Sequence, residues 1–345
     1  MTKALALAAL VGVALAPLPA NAHHSYSEYD DTKSVEVEGK LVEVAWQNPH
    51  ARILVESVDA AGARVTWDIE SAGVNNFRRM NVPLEIFAVG STVKIAGWPS
   101  KRSSVRMYGT NLLADDGQEL VMWRYSKPLW SGKALGYGSD FSLFETGTAS
   151  GSESLFRTWV SDLDDPDANP GSLFAGLAWP LTEKARQVAA KFNPITDTTT
   201  EGCTPKGMPS IIRQPMPIEF VDRGDTVELK MEEYDTRRII HMGAAATAEV
   251  PRTPLGYSVG EWEGRTLVVE TTRLNEPYLN SAGAPMSPAA KLVERFAPTA
   301  DGSRLNYTLV ITDPESLTAP IEGKRSWVWR PGEKVMPFNC TANPK

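Results

Sequence analysis

Sulfur and imidazole are scarce in this chain: its 345 residues contain two cysteines and four histidines. Neither cysteine lies in a C-x-x-C or C-x-x-C-H context, so thioredoxin-type redox chemistry and c-type haem attachment have no anchor here. Positive charge is also in deficit, with 35 Lys and Arg against 42 Asp and Glu, a formal net charge of −7. That balance argues against nucleic acid or an anionic membrane surface as partner. Past the first twenty residues no apolar run approaches the roughly 20 residues of a bilayer-spanning helix. G-x-S-x-G, Walker and H-E-x-x-H motifs are absent, and Gly256-Tyr257-Ser258-Val259-Gly260 has the residue types of a nucleophile elbow in the wrong spacing.

The N-terminus carries the strongest local signal. Lys3 precedes an apolar run from Ala4 to Pro17, and Ala20-Asn21-Ala22 has the small-x-small pattern of a signal-peptidase site, so residues 1–22 read as a leader. Cleavage would remove one basic residue, taking the net charge from −7 to −8. It would also leave His23 as the first residue of a periplasmic or secreted protein. In that oxidising setting an even pair of cysteines is most simply a disulfide, Cys203 to Cys340. The bridge would close a loop of about 137 residues, for which chain entropy allows about 4 to 5 kcal/mol.

The hydrophobic fraction of 42%, with 10 Trp, 25 Pro and 26 Gly, fits two ordinary domains better than one. Val35 to Val44, Ile53 to Val55 and Val65 to Ile69 read as strands, Asn75 to Met80 as a short helix, and Val89 to Gly97, Tyr108 to Leu113 and Glu119 to Met122 as further strands. Three strands, a helix and two strands imply an OB-like small barrel over 23–124. The Gly- and Ser-rich stretch that follows predicts a linker over 125–200 holding one amphipathic helix, Thr182 to Phe192. Over 201–345 the expected strands are Pro217 to Val221, Thr226 to Glu232, Arg237 to His241, Glu261 to Thr271, Lys291 to Phe296, Leu305 to Thr312 and Ser326 to Arg330. They imply an antiparallel, lipocalin-like barrel or curved sheet. The fold class expected is all-β.

Three runs carry a resemblance: A-H-H-S-Y at Ala22 to Tyr26, W-Q-N-P-H-A at Trp46 to Ala51 and V-G-S-T-V-K-I-A-G at Val89 to Gly97. Together they resemble an exported bacterial family of unknown function whose mature chains begin His-His-Ser-Phe/Tyr. The second half, through G-M-P at Gly207, P-I-E-F-V at Pro217, G-Y-S-V-G-E-W-E-G-R-T-L-V-V-E-T at Gly256 and V-E-R-F at Val293, is similar to C-terminal domains of uncharacterised exported proteins. Those relatives more often carry His at the place of Tyr257, Asp at Arg265 and His near Met286. The resemblance implies export and no particular activity.

Chemistry-bearing residues are few. A free amine and imidazole at His23, a second imidazole at His24 and a third at His50 form a candidate copper site, since neutral imidazole and deprotonated amine suit Cu(II). A straight first strand would hold His50 roughly 30 Å from the N-terminal segment, so the site needs that strand to coil sharply or the chain to fold back over a long range. In the second domain an inward cluster of Arg237, Glu270, Glu294 and Arg295, with Arg238 and Tyr257 nearby, would need internal partners or a ligand. Glu261 and Glu263, on one face of a strand, are a candidate acid–base pair. Trp46, Trp67, Trp98 and Trp123 could line a groove on the first domain. The expected function is binding of a small, partly apolar molecule or an extracytoplasmic partner protein. A lipocalin-like enzyme using carboxylates and tyrosines, or a copper-handling protein, are the alternatives. Intact mass of the exported protein tests the leader: the expected N-terminus is His23, and a chain retaining residues 1–22 would remove the amine ligand.

Overall fold

The computed structural model describes residues 28–123, 125–136, 146–147, 155–162, 173–174, 177–197, 199, 202–243 and 249–341. The proposed leader, with His23 and His24, lies outside them. Among the described residues no helix is long and apolar enough to cross a membrane. The fold is all-β and contains two closed barrels.

The first barrel is built from β1 (Val35–Ala45), β2 (Arg52–Val58), β3 (Arg64–Glu70), β4 (Thr92–Pro99) and β5 (Arg106–Ala114). Antiparallel pairs β1–β2, β2–β3, β1–β4 and β4–β5 are closed by a parallel β3–β5 seam. This is the OB order that the strand spacing predicts. Alternation puts Leu41, Ile53, Val55, Ile69, Ile95, Met107 and Leu112 inside, all fully buried. The short helix α1 (Val74–Arg79) lies between β3 and β4 in the chain and drives Phe77 into that core. Burying a Phe side chain contributes about 2 to 3 kcal/mol. Trp46 stands edge-on to Phe77 and Phe87, and Trp67 also packs against this core, so two of the four tryptophans assigned to a groove are half-buried against the barrel interior. Past the barrel, β6 (Glu119–Val121) and β7 (Ala134–Leu135) extend the sheet.

The second barrel has nine strands. Its order is β10 (Thr226–Met231), β11 (Thr236–Met242), β12 (Tyr257–Glu263), β13 (Thr266–Thr272), β14 (Lys291–Pro298), β15 (Arg304–Thr312), β16 (Ile321–Val328), β8 (Thr158–Ser161) and β9 (Ile218–Asp222). All joints are antiparallel except β11–β12. That parallel joint departs from the antiparallel barrel expected from the sequence, and two further features depart from it as well. The run Glu261 to Thr271 is a hairpin, because Gly264 takes φ +62° and turns the chain so that Glu263 pairs with Thr266. The stretch read as a linker supplies β8, which inserts between β16 and β9. Its helix is present as α2 (Glu183–Ala189), capped by the Thr182 hydroxyl on Ala185 N.

Barrels of this size can hold a ligand, but here side chains occupy the interior. Phe296 lies 5.0 Å from Phe220 and 4.9 Å from Tyr307, and Tyr307 lies 5.3 Å from Trp327, ring centre to ring centre. Beside these rings Arg238 donates to both oxygens of Glu294, to Ser258 Oγ at 2.9 Å and to Thr271 Oγ1 at 2.6 Å, and Tyr307 donates to Glu294 Oε1 at 2.9 Å. Both members of the pair are almost wholly excluded from solvent. Burial disfavours the charged guanidinium, but Glu294 outweighs it and holds the Arg238 pKa above its ordinary value. The expected inward cluster is therefore corrected. Arg238, not Arg237, faces in, because it shares strand parity with Thr236 and Ile240. Arg237 faces out to Glu228, Glu270 to Lys291 and Arg295 to Glu263. Tyr257 stacks on His241 at 4.5 Å, half-buried.

Glu294→Gln should cost about 3 to 5 kcal/mol in urea denaturation, because it strands a buried guanidinium. Arg295→Met should leave the midpoint where it is. Equal effects of the two would contradict this assignment of inside and outside.

Candidate functional site

Outside the first barrel, the β3–β5 seam gathers groups that the sequence spreads from Glu28 to Tyr125. Parallel register sets Asp68 beside Arg106 and Glu70 beside Tyr108. Ile69 and Met107 point into the core from the same strands, so their neighbours must point out. Tyr108 is nonetheless buried, since four rings surround it. Trp98 stacks on it at 5.5 Å and 23°, Trp123 stands edge-on at 5.7 Å, and Tyr29 and His50 lie at 5.8 and 6.0 Å. Trp123 also meets Trp98 at 5.2 Å and Tyr125 at 5.5 Å. Trp98, Trp123 and His50 are half-buried, and Tyr125 is 50% exposed. A bulge at Ala96/Gly97 sets the direction of Trp98, and a side chain at Gly97 would collide with the Tyr108 carbonyl.

Charges border the rings. Glu70 accepts from Tyr29 OH at 2.8 Å and from Arg106 Nη2 at 2.7 Å. Arg106 Nε lies 3.3 Å from Tyr29 OH and 3.5 Å from the buried Glu28, which also accepts from Ser100 Oγ at 3.0 Å. Burial raises the Glu70 pKa, but the charges of His50 and Arg106 and the two hydrogen bonds outweigh it and hold the carboxyl below its ordinary value. Burial, and after it the Glu70 charge, pushes the Tyr29 phenol up. At neutral pH the face thus presents an ionised carboxylate and a protonated phenol.

His50 sits in a turn fixed from several directions. Asn48 Oδ1 accepts from Asn75 N at 3.3 Å, and Val74 N donates to Gln47 O at 3.1 Å. Gly73 is required beneath this turn, because a Cβ there would lie 2.5 Å from both Asn48 Oδ1 and Pro49 O. His50 Nδ1 is 3.0 Å from Ser71 O. A carbonyl only accepts, so that contact puts the proton on Nδ1 and the lone pair of the neutral ring on Nε2.

Of the proposed copper ligands, His50 alone is among the described residues, where no group of three or more His, Cys, Asp or Glu is placed to hold a metal. The chain enters at Glu28 and Tyr29, Tyr29 bridges Ser100, and both Tyr29 and His50 pack on Tyr108. Cys203 and Cys340 form the disulfide. Glu263, of the proposed acid–base pair, is exposed and engaged by Arg295 at 2.6 Å. Sequence reasoning missed Tyr29, Glu70, Arg106 and Tyr108. For Glu70, Arg106 and Tyr108 the available signal was their position one step out of phase with Ile69 and Met107 on strands that an OB barrel must close; Tyr29, outside those strands, carried no such signal.

The depressed Glu70 pKa gives a pH prediction. Its folded value lies below the unfolded value of about 4.3, so its stabilising contribution is present above that pH and is lost as pH falls through the folded value. Glu70→Gln should be less stable at neutral pH and show a shallower loss of stability on acidification. Parallel acid limbs in the two proteins would assign that loss to other carboxylates.

Residues 9–109, which include the first barrel as far as the middle of β5, match a family of unknown function, DUF6152. No curated protein and no solved structure matches the chain.

Proposed function

We propose that this protein is an extracytoplasmic binding protein that takes a small, partly apolar molecule on the outer β3–β5 face of its first barrel. The observation that carries the reading is the shelf of Trp98, Trp123 and Tyr125, partly open to solvent beside an ionised carboxylate–guanidinium pair. Half-exposed rings with a few fixed polar groups suit a ligand that has a flat apolar surface and a polar edge. The disulfide agrees with an oxidising compartment. In the second barrel, rings and the Arg238–Glu294 pair fill the space a lipocalin-like ligand or substrate would need, which weighs against the enzyme alternative.

A second reading, copper handling through His23, His24 and His50, is favoured by one observation: the described chain begins on the same face as His50. Four residues separate Tyr29 from His24, and five extended steps reach up to about 17 Å. In this reading Nε2 of His50 would be the ring ligand, with the amine and imidazoles of the mature N-terminus completing the set.

Two titrations decide between them. Ligand-observed NMR with a library of flat ring compounds should give binders whose affinity falls about tenfold or more in Trp98→Leu, in keeping with the roughly 1.4 kcal/mol that such a change represents. Binders indifferent to Trp98 would rule out the shelf. Cu(II) titration of protein beginning at His23 should give one tight site, weakened both by His50→Ala and by an extra N-terminal residue, if the copper reading holds. Copper affinity indifferent to His50→Ala would reduce the N-terminus to a local chelator.

A further inference from the structure

The stretch Glu333 to Thr341 runs between the two barrels as a strap bonded on both sides. Toward the first barrel, Asn48 Nδ2 donates to Phe338 O at 2.7 Å, Asn75 Nδ2 to Pro337 O at 3.2 Å and Arg79 Nη2 to Lys334 O at 3.3 Å, and Thr341 N donates to Asn48 O at 2.9 Å. Toward the second, Met336 N donates to Glu232 Oε2 at 2.8 Å, and Phe338 N and Asn339 N donate to Asp235 at 2.9 and 3.3 Å. The Phe338 ring is fully buried, 5.2 Å from Tyr234. A segment with no helix or ladder of its own frays unless something ties it down. Here a covalent tie, Cys340 to Cys203, adds to those bonds.

Two properties make that tie more than a staple. Cys203 is exposed and Cys340 half-buried, so a thiolate in solution can attack the bridge without prior unfolding. Neither cysteine belongs to either hydrophobic core, so each barrel keeps its packing when the bridge opens. The strap, moreover, ends on Asn48, which pairs with Cys340 in an isolated parallel bridge and stands two residues before His50.

We propose that Cys203–Cys340 is a redox latch: reduction frees the strap, loosens the docking of the two barrels and shifts the turn that carries His50, while both barrels stay folded. A small dithiol is the reductant. One of its thiolates attacks Cys203 Sγ, forming a mixed disulfide and releasing Cys340 as a thiolate that takes up a proton. Its second thiol then closes a cyclic disulfide and expels the Cys203 thiolate, which is protonated in turn. Two electrons pass from the dithiol to the bridge. Coupling to His50 runs through Asn48, a positioning residue, and does not depend on what the β3–β5 face binds.

The full chain treated with dithiothreitol, with thiol release confirmed by mass, tests this by amide hydrogen exchange and by the NMR signals of the His50 ring. Met336, Phe338 and Thr341 amides should exchange about tenfold faster or more, while Glu294 and Phe296 amides in β14 keep their protection. The His50 signals should shift. Cys203→Ser with Cys340→Ser should reproduce these changes without reductant, and Asn48→Ala should move His50 with the bridge intact. Strap amides unchanged after reduction would overturn the latch. So would loss of protection throughout β14, which would make the bridge a staple of the whole fold. His50 signals unmoved by either reduction or Asn48→Ala would overturn the coupling.

Discussion

A carboxylate taken fully out of water must be met by donors, or folding is penalised by several kcal/mol. Glu232, with no exposed surface, is met from three directions: Arg79 donates to both oxygens, Asn75 adds a bond at 3.0 Å and the Met336 amide another at 2.8 Å. Arg79 and Asn75 belong to the helix of the first barrel, Met336 to the strap, and Glu232 itself to the corner after β10. One desolvated charge therefore ties the orientation of α1, the path of the chain end and the relation of the two barrels to one another. The His50 turn depends on that arrangement in turn, because Asn75 also donates its backbone N–H to Asn48.

The two barrels use charge in opposite ways. In the second, Arg238 and Glu294 are sealed among rings and hydroxyls, and the pair fixes which strand faces pack together. In the first, Arg106 and Glu70 lie outside the core, under rings that remain partly open to water. Of these two pairs, only the one on the first barrel keeps surface, on Arg106, where a molecule arriving from solvent meets it.

Much of the fold was legible in the sequence. Val37 and Ile69 stand between acidic neighbours, the apolar run Ile53 to Val55 is bounded by Arg52 and Glu56, and turns such as Asp59 to Gly62 separate the runs, so the succession of strands followed from pattern alone. The site was less legible. Alternation gives two phases, and in Arg237-Arg238 or Glu294-Arg295 adjacent charges occupy both, so composition could not say which one faces in; neighbours such as Ile240 and Phe296 decide it through packing. Glu70, Arg106 and Tyr108 met because β3 and β5 close in parallel, and Tyr29 joined them through its bridge to Ser100, both long-range pairings with no local signature. The strand β8 was hidden by its Gly-rich surroundings, since four residues are too few for a periodic signal to emerge.

That short strand also dictates the order in which the molecule can be made. β8 precedes β9 in the chain, yet its other neighbour is β16, with Trp327 opposite Ser161. A chain emerging N-terminus first can complete the five-strand barrel once β5 is available. The nine-strand barrel must wait with an open edge until the last strand arrives. Cys340 comes later still, so the bridge cannot form before every strand of both barrels has been made. Until β16 arrives the edges of β8 and β15 that it will join stand unpaired, and this interval is when the chain is most exposed to aggregation.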